Sequence, residues 1–155
     1  MRRIIVPAFL VASCTAASAD WNYAKWGMTQ PQVLAASGGE GKTLAAGHGK
    51  VCAFEGQIPF AIVARKRLSE FTFDVVFCTD GSALLTSVAL ESDVNAKNYH
   101  AVRRSLLSQF GTPVSDERGS FAITTWNDRA RGNTVRLIEI VGNARVEYRA
   151  LASGF

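Results

Sequence analysis

Phe71 to Leu90 reads FTFDVVFCTDGSALLTSVAL, two runs of alternating apolar and polar residues on either side of Asp80-Gly81. That dipeptide is the signature of a two-residue type I′ hairpin. Such a turn sets Phe77 opposite Leu84, Val75 opposite Thr86, Phe73 opposite Val88 and Phe71 opposite Leu90. One face of the ribbon is then almost wholly apolar, held by aromatic and β-branched cross-strand pairs. Cys78, Val76 and Leu85 fall on the opposite face. That face is therefore partly covered too, and Cys52 is a candidate to sit on it.

The regions around this hairpin divide into helix and strand signals. Upstream, WGMTQPQVLAASGG (Trp26 to Gly39) is a short helix with its ends written in. Thr29 and Gln32 are spaced as a capping box, Pro31 suits the first turn, and Met28 and Val33 are placed as a hydrophobic staple. Ser37-Gly38-Gly39 stops it. Two turns are not stable alone, so the helix must dock, and Trp21, Tyr23 and Trp26 are expected to form that dock. The other reading of Trp21 and Tyr23 is an exposed aromatic platform for a ligand. The Gly-rich stretch 39–49 reads as a loop, and KVCAF and PFAIVARK as strands.

Downstream, Tyr99, Val102, Leu106 and Phe110 mark one stripe of a second helix, capped by Asn95 and ended by Gly111 and Pro113. SFAITTW is a strand and NDRARGN a polar loop. TVRLIEIVGNARVEYRAL is a hairpin about Gly142-Asn143, a type II′ turn pairing Leu137 with Tyr148, Val135 with Ala150 and Glu139 with Val146. The order helix, strands and tight hairpin thus occurs twice, with a break near Asp93 to Asn95. It predicts one α+β domain over 20–155, made of halves 20–93 and 94–155. The expected architecture has two layers, an antiparallel sheet with two short helices on one face, pseudo-duplicated as (α-β-β-β) twice.

The first residues have a different character. MRRIIVPAFLVASCTAASAD carries two arginines, a short apolar run and an Ala17-Ser18-Ala19 ending. This is the pattern of a secretory signal peptide over 1–19, cleaved before Asp20. The competing feature is VASC, Val11 to Cys14, a lipobox that would make Cys14 a lipid anchor. No later stretch approaches the roughly 18 apolar residues of a membrane span. Removing Arg2 and Arg3 from the 17 basic residues leaves 15 against 13 acidic, so the formal net charge falls from +4 to +2. A charge this small does not point to a nucleic-acid partner.

Cys52 and Cys78 remain as a pair once Cys14 is cleaved off or lipidated. In an oxidising compartment they are expected to form a disulfide. A metal site is disfavoured, since there is no C-x-x-C and the only histidines are His48 and His100. No cofactor motif is present: GGEGKT has the wrong spacing for a phosphate loop, and no strand precedes it.

The Gly27-Met28-Thr29 start with Val33 four residues on resembles the G-M-T-x-x-x-V opening of the SmpA/BamE and β-lactamase-inhibitor-protein group of small periplasmic domains. YHAVRRSLLSQFGTP is similar to their helix-to-Gly-x-Pro ending, and the twofold order is similar to the tandem inhibitor proteins. The first helix departs from the pattern, ending in Ser37-Gly38-Gly39 without a proline. The resemblance implies a non-catalytic domain that binds other envelope proteins, and it assigns no binding residue.

Catalytic constellations are sparse. There is no G-x-S-x-G elbow, and TDGSA is accounted for by the hairpin turn. His48, in AAGHGK, could present an imidazole as base or ligand. Asp74 and Glu139 are strand-borne acids, and Glu139 falls on an otherwise apolar face, either as a tuned carboxylate or as an incidental one at a sheet end or paired with an arginine. Two functions follow. The first is a secreted or periplasmic, non-enzymatic protein-binding module, monomeric, touching another envelope protein through Trp126, Arg129 and Arg131 and touching a membrane only through a lipidated Cys14. The alternative is a small periplasmic enzyme or small-ligand carrier using His48 or Glu139.

Overall fold

The computed structural model describes residues 20–44, 52, 58–68, 70–93 and 97–152. Its centre is one eight-stranded sheet in which every neighbouring pair is antiparallel. In chain order the elements are β1 (Asp20–Trp21), β2 (Ala24–Lys25), α1 (Gln30–Ala36), β3 (Lys42–Thr43), β4 (Ile58–Leu68), β5 (Phe71–Thr79) and β6 (Leu85–Ser92). There follow α2 (Tyr99–Phe110), β7 (Ser115–Arg118), β8 (Ala122–Asp128), β9 (Asn133–Ile140) and β10 (Asn143–Ala150). The strands of the large sheet lie in the order β3-β4-β5-β6-β10-β9-β8-β7, and β1 pairs only with β2. No helix among the described residues is long and apolar enough to cross a membrane.

This overturns the expected two-layer α+β architecture of repeated α-β-β-β units. The described chain is mostly strand, and its two helices have only 7 and 12 residues. Four strands, not three, stand on each side of the β6–β10 seam. The additions are the edge strands β3 and β7. Lys42, Thr43 and the run Asp116–Arg118 are exposed, so these edges carry no alternating apolar signature. Of the two strands expected between 50 and 66, β4 contains PFAIVARK and continues to Leu68. KVCAF lies outside the described residues except for Cys52, which is in no strand.

The principal core lies on one face of the sheet. It joins Phe73, Val75 and Phe77 of β5 to Val88 and Leu90 of β6, Val135 and Leu137 of β9, and Val146 and Tyr148 of β10. Val33 of α1 and Tyr99, Val102 and Leu106 of α2 enter the same cluster. A smaller cluster on the other face holds Cys52, Cys78, Val76 and Ala89. There Cys52 and Cys78 are disulfide-bonded, with Cα atoms 5.8 Å apart. A bond of this kind persists in oxidising, extracytoplasmic compartments.

Both hairpins form, in registers other than those the turn dipeptides predict. Phe77 lies opposite Val88 and Val75 opposite Leu90. The Asp80 carboxylate accepts the Ser82 hydroxyl at 2.6 Å and its N–H at 3.1 Å, closing a longer loop. Leu85 is drawn elsewhere: its N–H donates to Met28 O at 2.8 Å and its carbonyl accepts Gly27 N–H at 2.9 Å. The displacement is even, so Phe73, Val75 and Phe77 keep their face. An irregularity between Cys78 and Thr79 moves Leu85 into the principal core, away from Cys78. In the second hairpin Leu137 faces Val146 and Glu139 faces Ala144. Its turn is Val141-Gly142, with φ of +52° and +83°, the positive pair that a type I′ turn requires.

The helix ends follow local chemistry. Gln32 Oε1 accepts the Thr29 N–H at 2.8 Å, which fixes the start of α1. Gly111 ends α2 at φ +73°, its N–H donating to Leu107 O. α2 starts at Tyr99 behind Asn98, whereas Asn95, the expected cap, lies outside the described residues.

Candidate functional site

The aromatic residues named from the sequence are structural. Trp21 is 6% exposed and meets Phe77, Tyr148 and Tyr23 in edge-on or tilted contacts. The Lys66 ammonium stands 4.9 Å from the centre of its ring. Tyr23 is half-buried, and burial together with the Glu40 charge raises its phenol above the usual range. Trp26 donates its indole N–H to Asn133 Oδ1 at 3.0 Å, and Asn133 in turn donates to Asp20 O. The N-terminal segment is thereby stitched to β9. These rings build the dock for α1 and leave no broad aromatic platform.

Trp126 must be withdrawn from the contact candidates. It is 1% exposed, and its indole N–H donates to Gly111 O at 2.9 Å, covering the C-terminal end of α2. Its position just before a polar loop suggests a rim residue. The β8–β9 pairing instead sets it opposite Val135 on the core face. Arg129 and Arg131 are exposed in the turn that follows, where Arg131 N–H reaches the Asp128 carbonyl and carboxylate at 3.3 Å.

Glu139 lies at the other end of β9, so the structure does not bring it together with the arginine turn. It has run past the buried Val135 and Leu137 to the sheet end. His48 lies outside the described residues. No group of three or more His, Cys, Asp or Glu among the described residues is placed to hold a metal ion.

At the Glu139 end, the β7–β8 and β9–β10 turns enclose an open depression of about 460 Å³ lined by Arg118, Ser120, Phe121, Glu139 and Val141. Val141 is 89% exposed and Phe121 41%, two of the four large apolar side chains left exposed among the described residues. A second depression of about 300 Å³ shares Arg118, Ser120 and Phe121 and adds Glu117 and Ile123. The turn from Arg118 to Phe121 borders both hollows, and the strand registers set Glu139 and Glu117 on opposite faces of the sheet, one lining each. Glu117 and Glu139 make no ion pair or hydrogen bond among the described residues. Arg118, by contrast, is shared with Asp116 at 3.4 Å, and Asp116 also holds Arg103 of α2 at 3.0 Å. A hydrogen bond from the Thr124 hydroxyl, with the Arg118 and Arg103 charges, keeps the Asp116 carboxyl below the usual range.

Neither Phe121 nor Val141 stands out in the sequence. Phe121 opens an ordinary strand signal, and Val141 reads as a strand residue when the turn is placed at Gly142-Asn143. The available clue is V-G-N itself, since a Gly in second place permits a turn one residue earlier.

Two polar groupings lie elsewhere. On the sheet face away from the principal core, Glu147 is 1% exposed and ringed by Arg145, Arg136 and Arg149 at 3.3–3.7 Å. Arg145 also binds Glu91 at 2.9 Å, a charge network across the β6–β10–β9 seam. Near β3, an open groove of about 740 Å³ is lined by Lys42, Arg65 and Asp74 together with Leu44 and Ala64, and Arg65 and Asp74 are 3.6 Å apart. No protein-family model matches the chain, and no curated protein or solved structure matches it either.

Proposed function

We propose that the chain is a non-enzymatic protein-binding module of the bacterial cell envelope, exported to the periplasm or beyond. Export is supported by the signal-peptide pattern of residues 1–19 and by the Cys52–Cys78 disulfide. The observation that carries the binding role is Val141. A β-branched residue with positive φ is a backbone outlier, and this one exposes 89% of its surface beside the exposed Phe121. A partner closing over the Val141 side chain would offset the cost of that backbone. The depression is open, which suits a protein surface better than a small molecule enclosed on most sides.

Mild cross-linking in the native envelope, followed by mass spectrometry of the tagged protein, tests the reading. One stoichiometric protein partner is expected, and it should disappear in the Phe121→Ser, Val141→Asn double variant while the melting curve stays cooperative. A protein that emerges without a partner, or whose partner ignores the double variant, contradicts it.

A further inference from the structure

Resting on that reading, we infer that Arg103 of α2 is a positioning residue for the surface displayed by Phe121 and Val141. Acting through Asp116, it holds the β7–β8 turn in place beside the β9–β10 turn. The two turns border one hollow, with Arg118 and Phe121 on one side and Val141 on the other. Each is also tied to the same helix. Tyr99 N–H, at the start of α2, donates to Gly142 O at 3.2 Å, and Lys97 N–H donates to Asn143 Oδ1 at 2.9 Å. One helical turn beyond Tyr99, Arg103 Nη2 donates to Asp116 Oδ2 at 3.0 Å.

Asp116 carries the tie onward to the turn. Its Oδ1 accepts the hydroxyl of the buried Thr124 of β8 at 2.9 Å, and its Oδ2 also accepts Arg118 Nη2 at 3.4 Å. Arg118 is the last residue of β7 and leads directly into Gly119-Ser120-Phe121. β7 has only four residues, lies at the sheet edge and pairs with β8 alone. A short, exposed edge strand opens at little free-energy cost, so a contact from outside the sheet governs where its turn stands. Arg103 supplies that contact from α2. The two paired side chains are 25% and 34% exposed, and at such exposure an ion pair adds little to global stability. Its effect falls on local order instead. A turn already fixed before binding avoids the entropy loss of being ordered by the partner.

Two measurements on the full chain test the assignment together. One is hydrogen exchange over Ser115–Ala122. The other is cross-linking in the native envelope through a photoreactive residue in place of Ser120, which borders the hollow and leaves Phe121, Val141 and the ion pair intact. Arg103→Gln should speed the exchange and lower the protein adduct, each about fivefold, and move the melting temperature by no more than about 3 °C. Arg103→Lys keeps a cation for Asp116 and should restore both readouts toward wild type. Unchanged exchange in Arg103→Gln, or faster exchange with an unchanged adduct, overturns this inference and leaves the protein-binding reading standing. An adduct that Arg103→Lys does not restore, or one lost together with the melting transition, makes Arg103 merely structural and overturns it as well. A wild-type chain that captures no protein through Ser120 defeats both.

Discussion

The side-chain oxygen of Asn98 accepts the backbone N–H of Ala144 at 2.9 Å, so the residue that opens α2 also holds the start of β10. The Ser92 hydroxyl lies 3.1 Å from Ala144 O and 3.3 Å from the same Asn98 oxygen, bringing the end of β6 into the joint. Tyr99 N–H reaches Gly142 O, and Lys97 N–H reaches Asn143 Oδ1. The start of α2 therefore grips the turn that displays Val141. Asn98 is 2% exposed, and cutting it to alanine strands a buried N–H. Asn98→Ala should cost about 2 kcal/mol in urea unfolding; a loss within a few tenths would mean the joint is dispensable.

Val141 sits at φ +52° in the first position of its turn. Asparagine tolerates that region and is preferred before glycine in a type I′ turn. Because the side chain is 89% exposed, almost no packing is lost on replacement. Val141→Asn should therefore raise stability by about 1 kcal/mol and raise the melting temperature, while weakening partner capture. A destabilised variant would show that the valine makes contacts that repay its backbone.

Glu147 is the single buried anion among three guanidinium groups, with Arg145 Nε at 3.3 Å and Arg136 and Arg149 at 3.7 Å. Replacing it with glutamine keeps the shape and leaves the arginine charges less compensated. Glu147→Gln should lose about 3 kcal/mol of unfolding free energy. Because the carboxylate is 1% exposed, added salt should recover little of that loss. Full recovery in salt would mark the network as a surface one.

Burial, with the nearby Asp128 charge, pushes the Tyr148 phenol from 10.0 up to about 12. The native state keeps this proton at a pH where the unfolded chain releases it. The contribution is fully present below pH 10.0 and drains away as pH rises toward about 12. Unfolding free energy should therefore fall over that window, and fall less steeply in Tyr148→Phe. Identical alkaline slopes for the two proteins would remove Tyr148 from the account.

Features governed by nearby residues are legible in the sequence alone. The capping pair of α1 and the Gly111 stop of α2 depend on contacts a few residues long. The apolar faces of β5, β6, β9 and β10 depend on period-two alternation, which survives a register displacement of two or four residues. Strand pairing across the molecule leaves no such local mark. Leu85 bonded to Gly27 and Met28 sets the first hairpin's register, and the Tyr99 and Asn98 bonds gather the second turn against α2. The exposed edge strands β3 and β7 have no periodicity to read, so their sequence understates the sheet and lends the helices too much weight. Trp126 and Val141 exchange roles for the same reason: pairing carries the indole into the core and leaves the valine on the rim. Whether an apolar side chain becomes core or contact surface depends on which distant strand comes to lie beside it, and one segment's alternation carries no information about that neighbour.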